Sequence, residues 1–346
     1  MNSTDSAAVT VPPAALNLGG LAFYTLDSEA SMGACYLERP WYKFWPEGVP
    51  KSIEYPNLSL SEVLRETAKK YPENPAIIYF GSATKYRELD QLVDKFATAL
   101  QDLGVKKGDR VGIFLPNIPQ FVIAFYGALR AGAVCVTCSP LYKGRELEHQ
   151  LNDAGAETLV AMDTLYPIVQ EIRERTKLRN VITTSPRDYL PPLLRLLAPL
   201  KGVKSHECPG ALDFFSIMKK YDANPKPIEV KTDDLALLQY TGGTTGVPKG
   251  AMISHKNLIV NARQCEVELP IRRGIEVHVT ALPLFHIFGM TTAMNAAILT
   301  GTTMLMIPDP RDPKGILDAI SKHKATVFCS VPTMYVALVN QPDIRK

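Results

Sequence analysis

Residues 241–249 read Thr-Gly-Gly-Thr-Thr-Gly-Val-Pro-Lys, which joins backbone freedom, small hydroxyls and one mobile cation. Gly242, Gly243 and Gly246 let the backbone turn its N–H groups toward one point. Thr241, Thr244 and Thr245 add hydroxyl donors without filling the hollow, and Lys249 supplies a point charge suited to phosphate oxygens. Pro248 stiffens the return. Such a loop can cradle the phosphates of a nucleotide. It is not a Walker loop, because the Gly-Lys-Ser/Thr end of that motif would fall where Val247 stands, five residues after Gly242. The G-x-G-x-x-G spacing of dinucleotide-binding turns is absent too. Taken alone, the run also reads as a plain Gly/Thr hairpin.

Two further constellations carry residues capable of chemistry. In Ala281-Leu-Pro-Leu-Phe-His-Ile-Phe-Gly289 a lone His286 sits among Leu284, Phe285, Ile287 and Phe288, and in isolation it reads as a hydrogen-bonded core histidine. Cys135-Val-Thr-Cys138 has the C-x-x-C spacing of zinc or redox sites. It falls in a strand-like run, where residues three apart point to opposite faces, and no second pair completes a tetrahedral site. Packing is the reading it supports.

The elements that must position these residues follow from hydrophobic spacing. Residues 235–240 are an apolar run of strand length, a brief second strand follows the loop, and Ser254 is placed to cap a helix beginning near His255. Upstream, Ser59 and Glu62 form a capping box ahead of Leu60, Val63, Leu64 and Thr67, and Pro72 stops that helix. Strands are expected at 76–80, 110–115, 134–138 and 158–162. Between them lie helices carrying Leu89, Leu92, Val93, Phe96, Leu100 and Leu103, then residues 119–131, then a helix from Arg145 to Gly155. This alternation predicts an α/β fold, with helices packed on mostly parallel sheets. Residues 281–308 hold a single ionisable group, His286, yet Pro283, Gly289 and Gly301 divide them into strand, loop, buried helix and strand rather than a membrane span.

The chain divides by composition into an extension at 1–38, a first α/β subdomain at 39–184, a Pro-rich insertion or linker at 185–230, and a second, truncated subdomain at 231–346. Residues 40–50 hold both tryptophans between prolines and read as an irregular strap. Within the Pro-rich stretch, residues 190–203 mix leucines with Arg195 and Lys201. An ordinary insertion and a short amphipathic segment on a membrane surface both stay open there.

A net charge of +3, from 38 basic and 35 acidic residues, gives no global field and points away from nucleic acid. Six scattered cysteines in a chain this long favour a reduced, cytoplasmic setting. No charged region precedes the first apolar residues, so no secretion signal is expected.

The run 235–258 resembles the signature of the adenylate-forming superfamily, which comprises acyl- and aryl-CoA ligases, luciferases and peptide-synthetase adenylation domains. The resemblance extends over about residues 40–346. It implies that Thr241, Gly242, Gly243, Thr244, Thr245, Gly246 and Lys249 hold the β- and γ-phosphates of ATP, with Lys249 acting in catalysis and the Thr241 hydroxyl reaching Mg²⁺. It also implies that Phe285 and His286 line the acyl pocket, His286 with a catalytic part. The small-residue run 291–297 would then form a helix wall behind them, and the segment Cys329-Ser-Val-Pro-Thr-Met-Tyr335 would lie near the substrate. Ser139-Pro-Leu-Tyr142, the segment 145–155 and the Trp-Pro-Glu-Gly-Val-Pro strap look most like the long-chain fatty acid–CoA ligase branch.

Ser139 stands where that branch commonly has Asn, and Lys143-Gly144 replaces Thr-Pro, so medium-chain, aromatic and luciferase-like acids remain open. The implied reaction joins a fatty acid to ATP, giving acyl-AMP, and then to CoA. Segments that the superfamily uses for adenine, ribose and the mobile domain with its lysine are not found, so the chain reads as the N-terminal portion of such a ligase. A non-catalytic ATP-binding module is the alternative from another class.

Overall fold

The computed structural model describes residues 39–198, 206–241, 248–342 and 344. The chain falls into two compact units, Met1–Lys51 and Ser52–Lys346. In the first, a short 3-10 helix, Pro40–Phe44, is braced by its own aromatics. The rings of Tyr42 and Trp45 meet edge-on at 5.5 Å, and Trp45 Nε1 donates to the Val49 carbonyl at 2.8 Å.

The second unit opens with α1 (Leu60–Lys70), whose N-cap is the expected box: Ser59 Oγ accepts from Glu62 N and the Glu62 carboxylate accepts from Ser59 N. A hairpin follows, β1 (Pro75–Tyr79) and β2 (Ser82–Lys85), then α2 (Tyr86–Asp102). Next come β3 (Arg110–Phe114), α3 (Pro119–Arg130), β4 (Val134–Thr137), α4 (Gly144–Ala154) and β5 (Thr158–Met162). The strands and helices read from the sequence in this region are present, to within a few residues at their ends. β2 is an addition.

α5 (Tyr166–Ile172) leads to β6 (Asn180–Thr184), the short α6 (Pro192–Leu197), β7 (Leu212–Asp213) and α7 (Phe214–Lys220). β8 (Leu235–Thr241) and β9 (Lys249–Ser254) then form a hairpin that feeds α8 (His255–Glu268). β10 (Val277–Thr280) precedes a composite helix, α9, made of Ile287–Gly289, a π-helical segment Met290–Asn295 and Ala296–Thr300. β11 (Thr303–Met306), α10 (Pro313–His323) and α11 (Pro332–Val339) complete the described elements. Residues 281–308 are therefore loop, buried helix and strand, and no described helix is long and apolar enough to cross a membrane.

The strands make two mixed, mostly parallel sheets, of order β7-β6-β5-β3-β4-β8-β9 and β10-β11-β1-β2. Both sheets draw strands from either side of the Pro-rich stretch: β8 pairs in parallel with β4, and β11 in parallel with β1. Helices α1, α2 and α3 are drawn together by the Arg130 guanidinium, which donates to Ser61 O at 3.0 Å and to Asp94 at 2.9 Å and pairs with Asp90 at 2.7 Å. α2 and α3 approach closely because residue 127 is glycine, where a Cβ would stand 2.7 Å from the Phe96 ring. Cys135 and Cys138, both fully buried, point into different cores on opposite sides of the larger sheet, as strand alternation requires. Burial pushes the Cys138 thiol up to about 12, so it stays protonated.

Candidate active site

The β8–β9 hairpin is the stem of the glycine- and threonine-rich loop. Thr241 and Lys249 are direct cross-strand partners, so the loop closes beyond the C-terminal end of β8. Directly opposed residues project from the same face of a ladder. The Thr241 hydroxyl and the Lys249 ammonium, both on exposed residues, therefore leave the stem on one side. Gly242, Gly243, Thr244, Thr245 and Gly246 lie outside the described residues.

The stem rests on α4. Tyr240 donates its hydroxyl to Asp153 Oδ2 at 2.5 Å, and His149 Nε2 lies 3.5 Å from the Pro248 carbonyl. Burial, reinforced by Asp153, raises the Tyr240 phenol, which keeps it protonated as a donor.

One residue before Tyr240, Gln239 sits in the middle of an apolar run and is buried. A buried amide must find partners. Its Nε2 donates to the Phe285 carbonyl at 3.2 Å, and the Thr137 hydroxyl at the end of β4 donates to the same oxygen at 3.0 Å. Thr137 is held in turn by Gln150 of α4, whose amide donates to its carbonyl at 2.9 Å. The strand that feeds the glycine- and threonine-rich loop thus also grips the Phe285–His286 segment, two residues short of Thr241.

The other side of that segment is clamped by Asn117, which donates to Thr280 O (3.2 Å) and Leu282 O (2.8 Å) and accepts from Leu284 N (2.8 Å). Gly289 lets it fold back tightly, since a Cβ there would meet the Pro283 carbonyl at 2.5 Å. His286 is exposed, which removes the core-histidine reading. Its Nδ1 accepts from Phe288 N at 3.2 Å and caps the first turn of α9. With Nδ1 accepting, the neutral ring carries its hydrogen on Nε2, which remains available to donate.

Phe285 is half-buried against the main core. The run 291–297 lies in α9 and is buried throughout, Ala293 at 4% and Ala297 at 0% exposure. Sequence reading missed Gln239, Thr137 and Asn117. The signal available was a polar residue interrupting an apolar strand, which required a buried partner.

Residues 64–346 match the family described as AMP-binding enzyme. The chain belongs to that family. It lies within the adenylate-forming superfamily, and it is 36% identical over 317 residues to the long-chain-fatty-acid–CoA ligase of Bacillus subtilis (strain 168), a match covering 89% of this chain and 56% of the relative. It is 28% identical over 301 residues to 4-coumarate–CoA ligase 3 of Arabidopsis thaliana, covering 85% and 50% respectively.

Among solved structures, a long-chain-fatty-acid-CoA ligase from Archaeoglobus fulgidus gives a TM-score of 0.70 at 29% identity, over 86% of this chain and 56% of that one. An anthranilate CoA ligase in complex with anthranoyl-AMP gives 0.74 at 22% identity, over 83% and 52%, a likeness of fold. The chain spans a little over half the length of the curated long-chain-fatty-acid–CoA ligases it matches.

The exposed Thr241 and Lys249 suit a nucleotide phosphate in charge and hydrogen bonding. For Mg²⁺ the fit is poorer: the described residues contain no cluster of three or more His, Cys, Asp or Glu, and Thr241 offers one hydroxyl.

Proposed function

We propose that this chain carries the phosphate-holding and acyl-positioning part of an ATP-dependent acyl-CoA ligase, with a long-chain fatty acid as its acid. In this reading the carboxylate attacks the α-phosphorus of ATP to give acyl-AMP and pyrophosphate, and CoA thiolate then displaces AMP. Lys249, Thr241 and the intervening loop bear the charge that builds on departing pyrophosphate. His286, with Nδ1 occupied by Phe288 N and Nε2–H free to donate, orients the acid. The observation that carries the reading is the shared grip of Gln239 and Thr137 on the Phe285 carbonyl, which ties the acyl-facing segment to the phosphate-loop strand.

Identity of 36% to the Bacillus ligase, against 28% to the coumarate ligase, supports the long-chain acid. The second reading, an aromatic acid, rests on the latter relative. The free thiols at Cys135, Cys138, Cys208, Cys265 and Cys329 accord with a cytoplasmic setting.

The test is acid-dependent exchange of pyrophosphate into ATP, measured on the longest polypeptide that the encoding DNA specifies. Acids from C6 to C18 and 4-coumarate would be compared. Strongest exchange with C14–C18 acids is expected. Exchange with coumarate alone would transfer the assignment to aromatic acids, and no exchange with any acid would remove it.

A further inference from the structure

The β1–β2 hairpin turns on an unsuitable residue. Tyr79 pairs with Ser82, so the connection is Phe80–Gly81, and both residues have positive φ, 48° and 83°. A two-residue turn with this backbone favours Asn-Gly or Gly-Gly, and a bulky side chain in the left-handed region costs free energy. The Phe80 ring meets Tyr79 edge-on at 4.8 Å and is still 48% exposed. A strained position held by a half-exposed aromatic asks what the ring is for.

It borders two adjoining hollows. One, of about 620 Å³, is walled by Met162, Leu190 and Leu194, and the other, of about 570 Å³, by Leu305, Ile307 and Lys322. Phe80, Leu194 and Pro308 line both, so together they make one trough beneath α6. Asn117 also touches the first hollow, but its amide is spent on Thr280, Leu282 and Leu284. Each hollow alone has the volume of a small-molecule site.

Charge decides the headgroup. The acids along the second hollow are engaged: Asp318 pairs with Lys314 at 2.7 Å, Asp309 pairs with Arg311 at 2.9 Å, and Asp312 caps α10 at Gly315 N at 3.0 Å. Lys322 makes no ion pair among the described residues, and its Nζ lies 4.0 Å from where a Cβ on Gly81 would stand. It is the uncommitted cation beside the aromatic turn. We propose that this trough binds a straight-chain carboxylate, its tail under Leu194 and against Phe80, its headgroup at Lys322. Neither Phe285 nor His286 lines the trough, which meets the candidate active site only at Asn117, and the binding proposed does not depend on the activity proposed for that site.

The experiment combines photo-crosslinking by a diazirine-bearing palmitate, mapped by peptide mass spectrometry, with titration of the chain by C8 to C12 carboxylates and by dodecyltrimethylammonium. Crosslinks within 186–198 and 305–323 are expected, with binding tightening about three- to fourfold per added methylene. Lys322→Glu should weaken dodecanoate about tenfold and leave or improve the ammonium amphiphile. Phe80→Asn supplies the residue the turn prefers, so the melting temperature should hold or rise while dodecanoate binding falls about tenfold.

Crosslinks confined to 285–300 would overturn the site in favour of the acyl pocket alone. Equal loss of both amphiphiles in Lys322→Glu would overturn the headgroup assignment. Adsorption to phosphatidylcholine–phosphatidylglycerol vesicles without crosslinks in the trough would show a bilayer contact instead.

Discussion

Lys249 and Thr241 could be picked out from the sequence because their chemistry resides in the residue types themselves, and the structure adds only that they share a rung of the hairpin. If the ammonium offsets charge on departing pyrophosphate, Lys249→Ala should lower acid-dependent pyrophosphate exchange by roughly 10²-fold or more, the range found when one preorganised donor is lost. Thr244→Ala, which removes one hydroxyl among several, should lower it less. Exchange unchanged in Lys249→Ala would end the assignment.

For His286 the structure suggests a sharper substitution than alanine. Asn is a good N-cap, so His286→Asn retains an acceptor for Phe288 N while removing the imidazole Nε2–H. Exchange should fall with the melting temperature unchanged. Gln239 was legible as a polar interruption of an apolar strand, but its partner was not, since Phe285 lies 46 positions away and no local pattern reports such a contact.

At the scale of elements, the prediction concerns how Gln239 sets the position of the Phe285–His286 segment, proposed to face the acid. Gln239→Leu keeps the strand's volume and apolar character but leaves the Phe285 carbonyl with the Thr137 hydroxyl alone. A cost of about 0.5–1.5 kcal/mol is expected, the net contribution of one hydrogen bond where the acceptor keeps a second partner. Because the segment is shifted rather than removed, KM for the acid should rise more than KM for ATP. Parallel increases in both, or none, would mean that the clamp is structural only.

The caps that start α1 and α8 were legible in the sequence. Ser59 with Glu62 and Ser254 with Asn257 act within four residues, so the sequence contains the whole interaction. β2 and β7 were not. Ser-Ala-Thr-Lys shows no apolar alternation and β7 is two residues long, so both exist only because a neighbouring strand offers a ladder. The order of strands was equally hidden, since parallel pairing of β4 with β8 links residues about a hundred positions apart.

For the whole molecule, two buried imidazoles tie stability to pH. His255, at the first position of α8, accepts from Leu60 N through Nδ1 at 3.1 Å and so joins the starts of two helices. His278 in β10 has Nδ1 3.3 Å from the Thr292 carbonyl. Burial lowers each to about 4, against 6.5 when unburied, with Asp234 and Glu62 opposing the shift at His255 and the Thr292 carbonyl opposing it at His278. The folded groups therefore stay neutral where the unfolded ones take up a proton. The stability they contribute is fully present above pH 6.5 and is lost as pH falls toward 4.

Each should add a slope of about 1.4 kcal/mol per pH unit across that window, a large share of the 5–15 kcal/mol typical of a domain. Glu276, held by Arg272 at about 2, loses its contribution as pH falls from 4.5 toward 2, so it leaves the upper part of the window clear. Urea midpoints should be nearly flat from pH 8 to 7 and fall steeply from 6.5 to 5. His255→Gln supplies an uncharged acceptor for Leu60 N, so it should remove about half of that slope while costing little at pH 7.5. A midpoint that falls equally in wild type and variant would show that other groups take up the protons.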